Sequence, residues 1–477
     1  MLAREIVRGA RHDDAGQEEA PRCHPKTRRA VVKGVLDWID KPPSDPKILW
    51  LEGPAGAGKT AIAGTLCELL KEQGRLGGDY FLSRNGRSSS QRLFSTIAYR
   101  LAIAIPVVGE RIGMAIARDQ TIIFARDDIQ LRELIVNPLR VLNEDTPPFV
   151  IVIDGLDECE SESKEPRKSE DLQCRIIQLI GSVCEEFPRL PVRFIIASRP
   201  ESWINDKFSS DSISRTLYRV SLERSDATDQ NIRTYYESTF QVIPISWDNQ
   251  GPKRTMLKSQ LSIQDFDNLV DKASGQFIYP STVVKFVGDH KGRPLERLQK
   301  ILEIPTLPTT SNPFADLDSL YIHILSLAPD RQRTMDALGT ILVITSTIDS
   351  DSILSREGLD IAERLLGLPP DEGYASLRSL HSLLHVPDPI GGLREVMTAD
   401  EYRIWLGEGS GIKFHHKSFP DFLTDKSRSG DFFVDKDLIH SRLALGCLKV
   451  LKGLSPQPQS RLHYGKVLVS ISAAWSY

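Results

Sequence analysis

The 477-residue sequence lacks the long apolar segments that would assign it to a membrane. No apolar run approaches the roughly 18 residues that a membrane-spanning helix needs. The first residues, MLAREIVRGARHDD, carry charges every few positions and do not resemble a secretory signal. We therefore expect a cytoplasmic protein with no membrane partner.

Cysteine is also scarce. The six cysteines are thinly scattered, with no C-x-x-C pair and no regular spacing. Zinc-finger proteins and small disulfide-stapled domains need such spacing, so both classes are excluded. A reducing compartment suits these thiols best.

The chain has no strong excess of either charge and no internal repeat. Its 60 basic and 64 acidic side chains give a net charge of -4, which argues against an extended nucleic-acid surface. The absence of a 20 to 50 residue repeat argues against a solenoid. With 40% hydrophobic residues, a chain of this length should divide into roughly two to four globular domains.

The stretch Ile48–Leu66 reads ILWLEGPAGAGKTAIAGTL. Its first part is a continuous apolar run, typical of a buried parallel strand, and its last part has apolar residues at helical spacing. Glycines between a strand and a helix let consecutive backbone N–H groups point inward, where they bind an anion. The spacing Gly53-x-x-x-x-Gly58-Lys59-Thr60 is the P-loop pattern.

This pattern assigns a role to each part of the loop. Lys59 is expected to contact the β- and γ-phosphates of a nucleotide, and the Thr60 hydroxyl to help hold Mg²⁺. The alternative is a flexible glycine turn that precedes a lysine by chance. The expected phosphate cradle also includes the other loop residues and the start of the helix, namely Gly53, Pro54, Ala55, Gly56, Ala57, Gly58 and Ala61.

A second stretch, PPFVIVIDGLDECE, predicts a strand that delivers Asp154 at its C-terminal end. Ligands of α/β proteins bind at that end of the strands, so Asp154 is expected to bind Mg²⁺ as a Walker B aspartate. Either Asp157 or Glu158 could orient the attacking water as general base. A solvated acidic turn is the plainer interpretation of this region.

Two more apolar runs, GGDYFLSR and VRFIIASRPES, predict strands of the same sheet. They end in Arg84 and in Ser198 and Arg199. Arg199 resembles a γ-phosphate sensor, although an arginine at a strand end is often an ordinary surface residue. Helical segments lie between the strands, one of them with Asp127 as a candidate N-cap. The alternation predicts an α/β fold, a parallel sheet flanked by helices.

Beyond about residue 220 helical patterns dominate. The polar stretch 241–260 is predicted to be a loop. The segment DFDNLVDKASGQFIYPSTVVKFVG predicts two helices separated at Gly275, the second starting near Pro280. Further amphipathic helices are predicted in ADLDSLYIHILSLA, SREGLDIAERLLGL and YASLRSLHSLLHV.

Taken in order, six segments resemble a NACHT-type STAND P-loop NTPase of the large fungal set, with a nephrocystin-3-like N-terminal P-loop domain. They are CHPKTRRAVVKGVLDWI, LEGPAGAGKT, IVIDGLDEC, FIIASRPE, ASGQFIYPSTVVKFV and FHHKSFPDFLTD. The resemblance implies an ATP/ADP switch that controls self-association. It also implies five regions: an N-terminal tail (1–22), a NACHT nucleotide domain (23–220), a small helical domain (221–310), a winged helix (311–427) and a C-terminal helical remnant (428–477).

The resemblance further implies that His416, within Phe414, Phe419 and Phe422, touches the β-phosphate of ADP and holds the closed state. Judged from the residues alone, His416 could equally be an ordinary core or surface histidine. The family usually carries an effector domain before and sensor repeats after this region, and here the flanks are short. We therefore expect a truncated member or one that works with a separate sensor or effector protein.

Three functions stay open at this point: a slow ATPase used as a switch, a small-molecule kinase, and a scaffold that binds nucleotide without meaningful hydrolysis. No N-K-x-D stretch is present to read guanine, so ATP and ADP with Mg²⁺ are the expected ligands. By resemblance, residues near Thr27 and Arg28 and the turn before Pro280 are candidates for contacting adenine.

Overall fold

The computed structural model divides the chain into two compact units, Met1–Asn231 and Ile232–Tyr477. It describes residues 2, 10–13, 21–42, 46–82, 92–143, 145–161, 166–247, 255–290, 292–306, 312–347, 365, 367, 372–386 and 412–453. Within these residues, no helix combines the length and the apolarity that crossing a bilayer requires. All six cysteines lie in the described residues, and none of them forms a disulfide there.

The first unit is built on a five-stranded sheet in the order β2-β3-β4-β1-β5. Every neighbouring pair in it is parallel. The expected parallel α/β sheet is thereby confirmed. The strands are β1 (Ile48–Glu52), β2 (Leu76–Phe81), β3 (Phe149–Asp154), β4 (Val192–Ser198) and β5 (Leu217–Ser221).

The two faces of the sheet pack into two separate hydrophobic cores. In β3, Ile151 and Ile153 join one core, whereas Val150 and Val152 join the other. Because successive side chains of a strand point to opposite faces, a strand covered on both sides must be apolar throughout. This explains the continuous apolar runs of β1, β3 and β4.

Helices of the first unit cover both faces. They are α1 (Arg29–Ile39), α2 (Lys59–Glu72), α3 (Leu93–Ala104), α4 (Pro106–Arg118), α5 (Asp127–Gln130), α6 (Asn137–Leu139), α7 (Pro166–Glu186), α8 (Ser202–Phe208) and α9 (Asp211–Ser214). Helix α10 (Asp226–Phe240) begins in the first unit and continues into the second, where Ile232, Tyr236 and Phe240 join the core. A π-helical stretch, Leu131–Val136, joins α5 to α6. Asp127 is the first residue of α5 and not its N-cap, which is Arg126.

The second unit is mostly helical. Its helices are α11 (Ile263–Ala273), α12 (Ile278–Val287), α13 (Pro294–Glu303), α14 (Ala315–Ser326), α15 (Arg331–Thr347), α16 (Glu372–Leu377), α17 (Ser418–Thr424), α18 (Lys426–Ser429) and α19 (Lys436–Gly453). The predicted break at Gly275 is present, with a φ of 76° at that glycine. Helix α12 begins two residues before the expected Pro280.

A small antiparallel sheet corrects one predicted helix. The segment YASLRSLHSLLHV is helical only in its first part, and then strand β6 (Leu384–His385) pairs with β7 (Lys413–Phe414). The predicted helix SREGLDIAERLLGL lies almost entirely outside the described residues. A winged helix at 311–427 and the other boundaries inside each unit stay predictions.

Candidate functional site

The P-loop sequence forms the connection between β1 and α2. Strand β1 ends at Glu52, and Gly58 caps the first turn of α2, which begins at Lys59. Gly56 and Gly58 have φ values of 78° and 96°, in the left-handed region that side chains disfavour. The glycines are therefore required by the backbone path that turns the loop onto the helix N-terminus.

Gly53 is required for a different reason. A Cβ at this position would lie 3.0 Å from the Leu222 Cβ, just after β5, and 3.4 Å from the Ala57 Cβ. The loop therefore packs against its own far side and against the chain beyond β5. A larger residue at 53 would push the loop outward and change the spacing of its backbone N–H groups.

Lys59 lies across the loop in this structure. Its side chain is buried, and its ammonium group donates to the Gly53 carbonyl at 2.6 Å and to the Pro54 carbonyl at 2.9 Å. Thr60, beside it, is exposed. The charged end of Lys59 is thus held against the backbone of the loop itself.

Asp154 ends β3 at the same edge of the sheet. It lies beside Ala197 of β4, and the next residue of β4, Ser198, lies beside Glu52 of β1. One strand therefore separates β3 from β1, which places their ends two strand spacings, or about 10 Å, apart. The carboxylate is buried, as a metal-binding aspartate near a phosphate site would be.

The turn after Asp154 depends on Gly155. This residue has a φ of 76°, its N–H donates to the Ala197 carbonyl at 2.9 Å, and a Cβ on it would lie 2.9 Å from the Leu82 carbonyl oxygen. A one-turn helix, Leu156–Glu158, follows. Gly155 therefore directs the carboxylates of Asp157 and Glu158 to the sheet edge that carries the P-loop.

The structure distinguishes Asp157 from Glu158. Asp157 is buried; one of its oxygens accepts from the Arg199 backbone N–H at 3.0 Å, and the other lies 3.4 Å from the Arg199 guanidinium. Glu158 is only half-buried. The first carboxylate therefore holds Arg199 at the end of β4, and the second is the more accessible to water.

Two residues that the sequence did not single out support this turn. The Gln173 amide donates to the Cys159 carbonyl at 2.8 Å and to the Asp157 carbonyl at 3.3 Å, and its oxygen accepts from the Trp203 indole at 2.8 Å. Neither residue belongs to a motif, so no signal in the sequence could have found them.

Arg28 contacts the P-loop from the other side. It has a φ of 56°, and its buried guanidinium donates to the Ala57 carbonyl at 3.0 Å and to the Thr228 hydroxyl at 3.3 Å. Its backbone N–H donates to Asn231 at 2.7 Å. Burial lowers the pKa of this guanidinium. Arg28 therefore connects the P-loop to the first turns of α10.

The remaining predicted polar residues have different surroundings. Ser198 accepts from the Trp50 indole at 2.8 Å, which is a structural contact between β4 and β1. Arg84 lies outside the described residues. His416 belongs to the second unit, where its Nδ1 accepts from the Ser418 backbone N–H at 3.1 Å and lies 2.6 Å from the Ser418 hydroxyl.

A family model described as Nephrocystin 3, N-terminal, matches residues 32–199. The match spans β1 to β4, so it contains both the P-loop and the turn after Asp154. It agrees with the nephrocystin-3-like P-loop domain that the sequence resembles, and the fungal NACHT assignment stays a prediction.

Two solved structures are similar only at the level of a remote fold. One is a signal transduction ATPase with numerous domains (STAND) protein with a tetratricopeptide repeat sensor from Pyrococcus horikoshii, at 12% identity and a TM-score of 0.43. The alignment covers 90% of this chain and 45% of that one, so this chain spans less than half of that protein.

The other structure is the replication initiator DnaA bound to AMPPCP and single-stranded DNA. It is 14% identical, with a TM-score of 0.33, and the alignment covers 77% of this chain and 92% of that chain. No curated protein matches the chain.

Proposed function

We propose that this protein binds ATP and ADP with Mg²⁺ at the loop Gly53–Thr60 and hydrolyses ATP slowly as a conformational switch. The observation that carries the proposal is the loop itself: a glycine-rich turn at the N-terminus of α2, with the Lys59 ammonium on its backbone and Asp154 at the same sheet edge. Backbone N–H groups at a helix N-terminus form an anion site, and the N-terminal end of the helix dipole adds positive potential.

The residues of the loop fit a bound nucleotide. Gly58 has a left-handed conformation and Gly53 has little room for a Cβ, so neither position carries a side chain that would keep a phosphate from the backbone N–H groups. In the proposed complex Lys59 releases the Gly53 and Pro54 carbonyls and turns to the β- and γ-phosphates. Mg²⁺, when bound, neutralises phosphate charge; Thr60 and Asp154 would hold it.

Glu158 is the proposed general base. The contacts that Asp157 makes with Arg199 occupy both of its oxygens, which leaves Glu158 the better candidate for orienting water. Arg199, held at the end of β4, is proposed to sense the γ-phosphate. Breaking its contact with Asp157 would then accompany ATP binding, since a phosphate competes for the same guanidinium.

The proposed switch depends on His416. His416 accepts through Nδ1, so the neutral ring carries its hydrogen on Nε2 and can donate to a phosphate oxygen. We assign it the contact with the β-phosphate of ADP that stabilises a closed, inactive state. ATP would favour the open state and self-association, with a separate sensor or effector protein supplying the signal.

A single-turnover experiment with labelled ATP tests the proposal. Glu158→Gln should retain ATP and slow phosphate release by roughly 100-fold or more, because the amide cannot accept the proton from water. Glu160→Gln, a half-buried carboxylate just beyond the turn, is the matched control and should hydrolyse ATP as the parent does.

Two results would change the assignment. Equal hydrolysis by Glu158→Gln and the parent would remove Glu158 as the base. Tight ATP binding without hydrolysis in the parent would favour the scaffold, which binds nucleotide but does not turn it over.

A further inference from the structure

A buried cluster away from the P-loop brings together three side chains that commonly bind transition metals. His12 comes from the segment 10–13, Cys67 from α2 and Asp79 from β2, and each of them is buried. One potential ligand atom from each residue lies within 4.8 Å of the other two. Within the described part of the chain, no other three His, Cys, Asp or Glu side chains meet this closely.

The contacts around Asp79 orient the cluster. The Oδ2 atom lies 2.9 Å from the His12 Nδ1 and accepts from the His12 backbone N–H at 2.6 Å. The Oδ1 atom accepts from the Arg100 Nε at 3.2 Å. One oxygen therefore faces the histidine while the other is held by an outer hydrogen bond, which is the usual support of a metal-binding carboxylate.

The backbone at His12 is fixed as well. Its carbonyl accepts from the Arg22 guanidinium at 2.9 Å, and two residues earlier the Ala10 carbonyl accepts from the Phe81 N–H at 2.7 Å. The segment 10–13 is thus attached to the outer edge of β2. The histidine is positioned by these backbone contacts as well as by its ring.

We propose that His12, Cys67 and Asp79 bind a Zn²⁺ ion that fastens the segment 10–13 to α2 and β2. A thiolate, an imidazole and a carboxylate form a donor set typical of zinc, whereas magnesium prefers oxygen ligands alone. Three protein ligands leave a fourth tetrahedral position for water or another donor.

Charge balance agrees with a divalent ion. A thiol must lose its proton before its sulfur can bind zinc. On binding, the sulfur–hydrogen bond breaks, the proton goes to solvent, and the sulfur electron pair forms the bond to zinc. The thiolate and the carboxylate then neutralise the ion, and the Arg100 charge stays outside its ligand shell.

Cobalt substitution in the full chain tests the proposal. Metal-free protein without nucleotide is titrated with Co²⁺, whose bond to a thiolate gives a charge-transfer band in the near ultraviolet. We expect this band at about one equivalent, with the visible bands of tetrahedral cobalt, and we expect Zn²⁺ to abolish both. Magnesium should not compete.

The variants identify the ligands. Cys67→Ser should lose the charge-transfer band, and His12→Ala should weaken cobalt binding by roughly 10-fold or more. Cys184→Ser is the control, because Cys184 is a buried thiol that belongs to no such cluster among the described residues. Absence of the band in the parent would overturn the proposal, and so would its persistence in Cys67→Ser or undiminished affinity in His12→Ala.

Discussion

Asp157 and Glu158 are adjacent in the sequence, but their surroundings separate their roles. Asp157 is buried against Arg199, whereas Glu158 is half-buried at the loop edge. A carboxylate that must accept a proton from water needs access to that water. Asp157 therefore positions an arginine, and the orientation of a nucleophilic water falls to Glu158 in the proposed mechanism, a distinction that the sequence DGLDE could not decide.

Gly155 should be intolerant of any side chain. In Gly155→Ala the new Cβ would meet the Leu82 carbonyl, and the residue would keep a positive φ. Strain of this kind costs roughly 1–3 kcal/mol, which lowers the thermal midpoint of a unit of this size by roughly 2–12 °C. Differential scanning calorimetry measures the shift in the unfolding transition of the first unit.

The matched control is Gly113→Ala. Gly113 lies inside α4, where an added Cβ would meet no atom within 4 Å, and alanine favours a helix by up to about 1 kcal/mol. The thermal midpoint of Gly113→Ala should equal or exceed that of the parent. If Gly155→Ala unfolded at the same temperature as Gly113→Ala, the turn after Asp154 would not be the constrained feature described above.

The helices and strands that the sequence predicts are those whose burial shows in the pattern of their own consecutive residues. Strands β1, β3 and β4 are continuous apolar runs because both of their faces are covered. The sequence does not predict strand β5, because its residues are only partly buried, as at the edge of a sheet. The pairing of β6 with β7 was missed because Leu384 meets Phe414, far along the chain, while the local spacing favours a helix.

The candidate site likewise has residues that the sequence predicts and contacts that it does not. The P-loop and Asp154 are visible in the sequence because their chemistry needs fixed spacing. The contacts of Arg28 with Ala57, of Asp157 with Arg199 and of Gln173 with the turn after Asp154 join distant positions. Only the fold brings such residues together, so no spacing rule could have found these contacts.

His415, directly after β7, should make the second unit sensitive to acid. Burial, followed by the Lys285 charge, lowers the pKa of His415 from its usual 6.5 to about 4, and its Nε2 donates to the His381 carbonyl at 3.0 Å. The unfolded chain therefore binds a proton that the folded chain refuses between these pH values. Stability is present above pH 6.5 and falls as the pH drops toward 4.

At pH 5 this histidine should lower the free energy of unfolding by up to about 2 kcal/mol relative to pH 7.5. Urea unfolding at the two pH values measures the difference. His415→Gln keeps a donor for the His381 carbonyl but does not titrate. Its free energy of unfolding should therefore fall less between pH 7.5 and pH 5 than that of the parent. Equal losses in the two proteins would contradict a buried neutral His415.

Lys59 and His416 belong to different compact units, and the proposed switch depends on both. Only a contact that differs between the closed and open states can shift their populations. His416 also accepts from the Ser418 N–H at the start of α17. Replacement by alanine would therefore remove a helix contact together with any contact to ADP.

His416→Asn separates the two roles, since asparagine is a good acceptor at a helix start. We expect α17 to be retained and labelled ADP to be released between about 2-fold and 100-fold faster, the range for losing one hydrogen bond. Light scattering should detect more self-association. His415→Gln is the control and should release ADP at the parental rate. If His416→Asn also released ADP at the parental rate, the proposed contact between His416 and ADP would be excluded.

Isothermal titration calorimetry of ATP and ADP with Mg²⁺ is the most direct test of the proposed nucleotide site. The parent should bind both, and Lys59→Ala should bind them at least about 10-fold more weakly, because a charge-assisted contact contributes roughly 1.5–3 kcal/mol. Lys71→Ala, at an exposed lysine near the end of α2, should bind as the parent does. No binding by the parent, or unchanged affinity in Lys59→Ala, would contradict a P-loop nucleotide site.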